Sequence, residues 1–106
     1  MSEENKTPEE SKMPEENKMN SIYVGKKSTM SYCLVAVTVF NKGENECIIR
    51  ARGRAISKAV DVAEITTRRF LNDIVEIAEI KIGSEEISGE ESTKTVSTMD
   101  IHLKRK

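Results

Sequence analysis

The chain has 106 residues, of which 33% are charged and 4% are aromatic, so it can form one small domain with a mainly aliphatic core. No apolar run approaches the ~18–20 residues of a membrane span, and the N-terminus is too acidic for a signal peptide. We therefore expect a cytoplasmic protein that makes no membrane contact. Cys33 and Cys47 lie in apolar runs and are not spaced as a metal site, so we expect both to be small buried hydrophobic residues.

The formal net charge of −1 conceals an uneven distribution. Residues 1–20 hold six Glu and three Lys, whereas the remaining 86 residues hold 14 Lys and Arg against 12 Asp and Glu. Residues 3–19 form a degenerate hexapeptide repeat (EENKTP, EESKMP, EENKM) with almost nothing to bury. We therefore predict a disordered acidic tail over 1–20 and a folded domain over 21–106. The tail is either a solubilising segment or an arm that competes with a polyanion for the basic surface.

The folded domain begins with a short predicted strand, SIYV, and a glycine-opened loop from Gly25 to Ser28. The β-branched run CLVAVTVF that follows would allow a buried strand. Thirteen residues without an internal breaker, Thr29 to Asn41, instead favour a helix, with Ser28 as its N-cap. Such an apolar helix needs cover on nearly every side, which one small sheet cannot supply, so we expect a self-association surface.

A turn over 41–45 leads to a second predicted strand, Glu46 to Arg52, which Gly53 ends. A helix is predicted from Arg54 to about Phe70. Its expected buried face comprises Ile56, Ala59, Val60, Ala63, Thr67 and Phe70. Its expected polar face comprises Ser57, Asp61, Glu64 and Arg68, with Glu64 and Arg68 at the favourable i,i+4 spacing. Ile65 lies within that polar face and is a mild indication of an interface.

Two further strands complete the predicted domain. They run from Val75 to about Ser84 and from Thr95 to Lys104, and a long polar hairpin tip over 85–94 joins them. The element order is therefore β-α-β-α-β-β. Right-handed crossovers would make the first two strands parallel and place both helices against the sheet, which is an α+β fold.

The sequence contains no catalytic constellation. Its single histidine, His102, shares a strand face with Asp100, but no cysteine or second carboxylate lies at ligand spacing, so we expect a structural or surface role. The segment ARGRA, Ala51 to Ala55, lacks the glycine pattern and the Lys-Ser/Thr of a phosphate-binding P-loop. We therefore predict a binding protein and not an enzyme, with no metal, no cofactor and no small-molecule substrate.

Two basic clusters stand out along the chain. The first is the pair Lys26–Lys27, after the first strand. The second surrounds the end of the second strand and comprises Arg50, Arg52, Arg54 and Lys58. Loops that follow two parallel strands emerge at the same sheet edge, so the clusters should converge into a site for backbone phosphates. The alternative is a charged rim with compensating acids, although no acidic residue lies between 47 and 60.

Three segments, IYVGKKSTMSYCLVAVT, IIRARGRAISKAVDVAEI and RFL, occur in this order and resemble the Alba family of archaeal chromatin proteins over about residues 21–105. The resemblance implies a two-layer β-α-β-α-β-β sandwich like the C-terminal domain of bacterial translation initiation factor 3. It also implies homodimers that coat double-stranded DNA and bind RNA.

The resemblance further implies roles for single residues. Lys26 and Lys27 would form the central DNA-contacting loop and are candidate acetylation sites. Arg50 stands where lysine or arginine is usual, and Arg52 and Arg54 match the phosphate-contacting arginines of the family. Phe70 matches an aromatic residue of dimer–dimer contacts along DNA, which would be the basis of any cooperative assembly.

The sequence departs from the family pattern at two places. Ser28 replaces the usual proline of GKKP, so we expect the loop to lose rigidity. The predicted hairpin tip, which in the family often carries basic residues to the minor groove, here holds Glu85, Glu86, Glu90 and Glu91 against Lys94 alone. We expect this acidic tip to weaken binding or to stand away from the duplex.

Together these observations predict a chromosome-associated homodimer that binds backbone phosphates of double-stranded DNA without sequence specificity and coats or compacts it. If about six phosphates are neutralised, the logarithm of the affinity should fall with a slope of roughly −5 against log salt. The first alternative is an RNA-binding protein that uses the same surface on structured RNA. The second is a protein-interaction module whose acidic tail and hairpin are the active surfaces.

Overall fold

The computed structural model describes residues 20–89 and 92–106. The predicted acidic tail up to residue 19 lies outside the described residues, as do Glu90 and Glu91 of the predicted hairpin tip. From the N-terminus, the elements are β1 (Ser21–Tyr23), α1 (Thr29–Asn41), β2 (Glu46–Arg52), a 3-10 turn (Gly53–Ala55), α2 (Ile56–Ile65), a π-helical turn (Thr66–Phe70), β3 (Val75–Ser88) and β4 (Thr93–Arg105).

The four strands form one sheet in the order β1-β2-β4-β3. Strands β1 and β2 are parallel, and the other neighbouring pairs are antiparallel. Both helices pack on one face of this sheet, where they bury Cys47, Ile49 and Ala51 of β2. The alternate residues Arg50 and Arg52 lie on the opposite face, which we call the outer face. The predicted α+β class, element order and parallel first strands are confirmed.

Helix α1 has the predicted bounds and the predicted cap. The hydroxyl oxygen of Ser28 accepts a hydrogen bond from the backbone N–H of Ser31 at 3.2 Å. The helix buries four residues, Tyr32, Cys33, Ala36 and Phe40. Leu34 and Val35 are exposed, as expected for a helix that is apolar on more sides than the sheet can cover. Within residues 20–89 and 92–106, no helix is both long enough and apolar enough to cross a membrane.

The structure corrects the predicted buried face of the second helix. Four residues of this segment are buried: Ala59, Val62, Ala63 and, in the π turn, Thr66. Val60 and Phe70, which helical periodicity places on the buried face, are exposed. Ile65, which it places on the polar face, packs against the core instead.

Two contacts explain this difference. Helix α1 packs beside α2, and the Cys33 Sγ lies 3.7 Å from the Val62 carbonyl oxygen that accepts its hydrogen bond, so the buried side turns toward α1. At the C-terminal end, the N–H of Leu71 donates to the carbonyl of Thr66 at 2.9 Å. This wider π turn changes the direction in which Phe70 points. The predicted pair of Glu64 and Arg68 is confirmed at 2.6 Å.

The predicted hairpin boundaries were wrong. Strand β3 continues to Ser88 and β4 begins at Thr93, so Glu85 and Glu86 belong to a strand and only four residues separate the two strands. A bulge between Ile77 and Glu79 shifts the register of β3. The bulge is the reason for the imperfect alternation of this strand, because a single inserted residue exchanges the two faces that follow it.

The core lies between the helices and the sheet. Cys33 and Cys47 are both free thiols with no exposed surface, which confirms the interpretation as small buried hydrophobic residues. Burial raises the pKa of the Cys47 thiol to about 12, with a further increase from the neighbouring carboxylate of Glu46. His102 is also structural, because its Nδ1 lies 3.0 Å from a carboxylate oxygen of Glu46 on the adjacent strand.

Candidate nucleic-acid interface

The loop over 25–28 is held in place from two sides. The phenolic oxygen of Tyr32 in α1 accepts hydrogen bonds from the backbone N–H of Gly25 at 2.8 Å and of Lys27 at 3.2 Å. From α2, the ammonium of Lys58 donates to the carbonyl oxygens of Gly25 at 3.1 Å and Lys27 at 2.6 Å. These four bonds fix the loop backbone while the side chains of Lys26 and Lys27 remain exposed.

Two side chains stiffen the loop, although the replacement of proline by Ser28 was expected to make it less rigid. Ser28 caps α1 through its hydroxyl, and Tyr32 ties the preceding residues to the same helix. Because the loop leads directly into the first turn of α1, the positive end of the helix dipole adds to the charge of the two lysines. The loop is therefore a fixed, positively charged projection at one end of the sheet.

Lys58 joins the two predicted basic clusters. Its ammonium has three N–H donors, of which two contact loop carbonyls. The structure therefore brings α2 and the Lys26–Lys27 loop together, as the topology predicted. It also gives Lys58 a positioning contact that sequence reasoning did not anticipate.

Arg50 lies on the outer face and contacts Ser21, Asp100 and Tyr23. Its Nε donates to the hydroxyl of Ser21 at 3.2 Å, and one Nη lies 3.7 Å from a carboxylate oxygen of Asp100. Its guanidinium carbon lies 5.9 Å from the centroid of the Tyr23 ring. On the other side of β4, Lys81 is the cross-strand neighbour of Asp100, so this carboxylate lies between two cations.

Arg52 also has an acidic partner. Its Nη1 lies 2.5 Å from a carboxylate oxygen of Glu85 in β3. The two strands are not neighbours, so this pair spans β4. Gly83 faces Thr98 across β3 and β4, and an added Cβ at Gly83 would lie 3.3 Å from the Thr98 hydroxyl. Compensating acids are therefore present, but they come from strands that lie much later in the sequence.

Arg54 occupies the 3-10 turn after β2 and is exposed. Gly53 permits this turn because its φ of +57° lies in the left-handed region that strains other residues. Of the carboxylates in the part of the chain that the structure describes, none lies within ion-pair distance of Arg54, Lys26 or Lys27. Phe70 lies at the opposite end of α2 and is not part of this group.

A cleft of about 400 Å³ opens on the outer face beside the two paired arginines. Its lining consists of Tyr23, Val24, Arg50, Ala51, Arg52, Glu85, Thr98 and Asp100. It combines an aromatic ring, two guanidinium groups and two carboxylates. Sequence reasoning missed the cleft because its walls come from four different strands.

The other residue that sequence reasoning missed is Tyr32. A tyrosine in an otherwise apolar helix is itself a signal, because a buried phenol requires a hydrogen-bond partner. Its position shortly after the N-cap places that partner in the preceding loop. The roles of Ser21 and Asp100 had no comparable local signal.

Comparison with known proteins agrees with this fold. The model of the family described as Alba matches residues 20–84. The chain belongs to the Alba family. A relative named DNA/RNA-binding protein Alba 1, from Archaeoglobus fulgidus, is 52% identical over 87 residues, which cover 82% of this chain and 97% of that protein. Another, named DNA/RNA-binding protein Alba, from Methanocella arvoryzae, is 54% identical and covers 81% of this chain and 90% of its own length.

Solved Alba structures show the same architecture. Alba from Thermoplasma volcanium superposes with a TM-score of 0.77 at 50% identity, over 81% of this chain and all of that one. ALBA1 from Trypanosoma brucei superposes with a TM-score of 0.67 at 24% identity, over 81% of this chain and 68% of that one, which shows the fold alone. The resemblance found in the sequence is confirmed.

Proposed function

We propose that this Alba-family chain is a DNA/RNA-binding protein, and not an enzyme, that holds the phosphate backbone of a duplex without reading its sequence. The observation that carries the proposal is the loop with exposed Lys26 and Lys27, whose backbone is fixed by Tyr32 and Lys58. A fixed loop loses little conformational entropy when it binds, so little of the favourable electrostatic free energy is offset by ordering the loop. The names of the curated relatives agree with this proposal.

The cations divide into two groups by their availability. Lys26, Lys27 and Arg54 are exposed and would make the first phosphate contacts. Arg50 and Arg52 are engaged with Asp100 and Glu85, so a phosphate has to displace or share a carboxylate to reach them. Contacts of this kind to the backbone position a protein on a duplex but carry no sequence information.

We propose that the protein acts as a homodimer. On the helix side of the sheet, Ile80 and Ile82 of β3 are 54% and 78% exposed, although their β4 neighbours Ile101 and Met99 pack in or against the core. On α2, Val60 is also exposed. It lies about 200° around the helix from Val62, the residue that contacts α1, and therefore points away from α1.

A second copy is the partner that would cover this apolar surface, defined by Val60, Ile80 and Ile82. Exposed aliphatic side chains cost free energy in a monomer, and a two-fold dimer would bury them against their equivalents in the second copy. Such a dimer would carry two Lys26–Lys27 loops and would double the number of phosphate contacts. Coating or compaction of chromosomal DNA in the cytoplasm follows if dimers bind side by side, with Phe70 as the proposed dimer–dimer contact.

Acetylation of Lys26 or Lys27 would weaken this binding. The modification removes the charge of the ammonium and leaves the loop backbone unchanged. Because both side chains are exposed, both are accessible to a modifying enzyme.

The proposal is tested by titrating a fully paired DNA duplex at several salt concentrations. We expect a slope of roughly −5 for log affinity against log salt, and in Lys26→Ala/Lys27→Ala this slope should flatten by about one for each phosphate that is no longer neutralised. The matched control is Lys42→Ala/Lys104→Ala, which removes the same charge from the opposite end of the sheet, where β2 begins. Equal slopes for the two double variants would refute the proposed site.

The same titration with duplex RNA distinguishes the DNA-binding and RNA-binding candidates. The observation in favour of RNA is the cleft with the exposed ring of Tyr23, since RNA presents unpaired bases far more often than chromosomal DNA does.

A further inference from the structure

We infer that the cleft on the outer face is a subsite for a single unpaired base, and that guanine fits it best. The inference rests on the proposed function, because the adjoining Lys26–Lys27 loop would hold the backbone of the same strand. It adds a preference for RNA with bulged or looped nucleotides over a fully paired duplex. Three features of the cleft support it: the stacking surface, the charges and the position relative to the loop.

The stacking surface is Tyr23 together with Arg50. Tyr23 is the last residue of β1 and is 60% exposed, an unusual exposure for an aromatic residue in a sheet. The Arg50 guanidinium approaches this ring, so two flat groups lie at the same wall of the cleft. Bases stack on both kinds of group, and the stacking does not depend on base identity. The volume of about 400 Å³ lies within the range of small-ligand sites.

The charges of the cleft are mixed, which suits a ligand that has both donors and acceptors better than a phosphate alone. Asp100 and Glu85 line the same space as Arg50 and Arg52, so a phosphate that entered would meet two carboxylates. A base offers donors and acceptors together. Guanine has N1–H and N2–H₂ donors for a carboxylate and has O6 and N7 acceptors for a guanidinium. The hydroxyl of Thr98 can serve as either partner.

The cleft lies next to the Lys26–Lys27 loop along the chain. Val24 lines the cleft, and the next three residues are Gly25, Lys26 and Lys27. A strand whose phosphates contact these lysines therefore passes the mouth of the cleft. In a fully paired duplex the Watson–Crick edges are occupied and the bases are stacked on one another, so only a bulged or looped nucleotide can enter.

The experiment compares two RNA duplexes that differ only by one bulged guanosine. We expect the full chain to bind the bulged duplex at least about fivefold more tightly, which is the lower end of what stacking of one base on an aromatic ring contributes. Tyr23→Leu should abolish this preference, so that the bulged and the fully paired duplex bind with equal affinity. Tyr23→Phe should retain it, because the phenolic hydroxyl is not part of the stacking surface.

A second pair of probes tests the acidic wall. The second probe carries a bulged uridine in place of the guanosine. Asp100→Asn should reduce the difference in affinity between the two bulged probes. Unequal affinities for guanosine and uridine that Asp100→Asn leaves unchanged would overturn the assignment of guanine to this carboxylate.

The inference is overturned if the unmodified protein binds the bulged-guanosine duplex and the fully paired duplex equally, or if Tyr23→Leu weakens binding of both to the same extent. Failure of the proposed function has a different signature, which is that Lys26→Ala/Lys27→Ala leaves binding of the fully paired duplex unchanged. Thermal unfolding of each variant by circular dichroism tests whether the fold is retained.

Discussion

The ion pair of Arg52 and Glu85 provides a test of the proposed phosphate contacts, because it keeps the Arg52 guanidinium from contacting phosphate. The two side chains are 62% and 50% exposed, so the pair itself contributes only about 0.2–1 kcal/mol. Glu85→Gln removes this competitor and one negative charge from the outer face. A guanidinium released at this cost should raise the affinity for a fully paired DNA duplex by about 1.4- to fivefold. It should also steepen the salt slope by about one unit for the additional phosphate that is neutralised.

The matched control for this prediction is Glu86→Gln. Glu86 is the next residue of β3, has the same side chain and points to the other face of the sheet, opposite Thr95. Both variants change the net charge by the same amount, and fluorescence anisotropy over a range of salt concentrations measures both. If Glu86→Gln raises the affinity and steepens the slope equally, the effect comes from the overall field and not from Arg52, and the reasoning is refuted.

Three further predictions address the loop, the core and the dimer. Tyr32→Phe should speed amide hydrogen exchange in the loop over 25–28 and weaken duplex binding, because two N–H groups lose their acceptor; unchanged exchange would show that the phenol does not hold the loop. Thr66→Val should raise the free energy of unfolding by about 1 kcal/mol, because this buried hydroxyl has no hydrogen-bond partner among the described residues. Thr67→Val should lower the free energy of unfolding by about 1 kcal/mol, because the Thr67 hydroxyl donates to a backbone carbonyl at 2.8 Å. Urea unfolding measures both variants. Stabilisation by both substitutions would contradict this account of the two hydroxyls. Ile82→Asp should shift the mass in analytical ultracentrifugation from dimer to monomer, and an unchanged dimer would place the interface elsewhere.

The local pattern predicted the elements that depend on local causes. The start of α1 and the end of β2 agreed with the structure because the N-cap at Ser28 begins a helix and the positive-φ glycine at Gly53 ends a strand, and both effects are local. The pair of Glu64 and Arg68 agreed because residues four apart on a helix meet regardless of the fold around them. The predicted boundaries of the hairpin were wrong because polar residues alone do not end a strand when both partner strands continue in register.

The sequence by itself also determined where the cations cluster and to which family the chain belongs. Only the tertiary structure decided which cations are available. Arg50 meets Asp100 and Arg52 meets Glu85 because β4 is inserted between β2 and β3, which brings acids from far along the chain onto one outer face. Lys58 contacts the loop because α2 starts beside the end of β1. An ion pair depends on distance in space, and local sequence fixes that distance only within a single element.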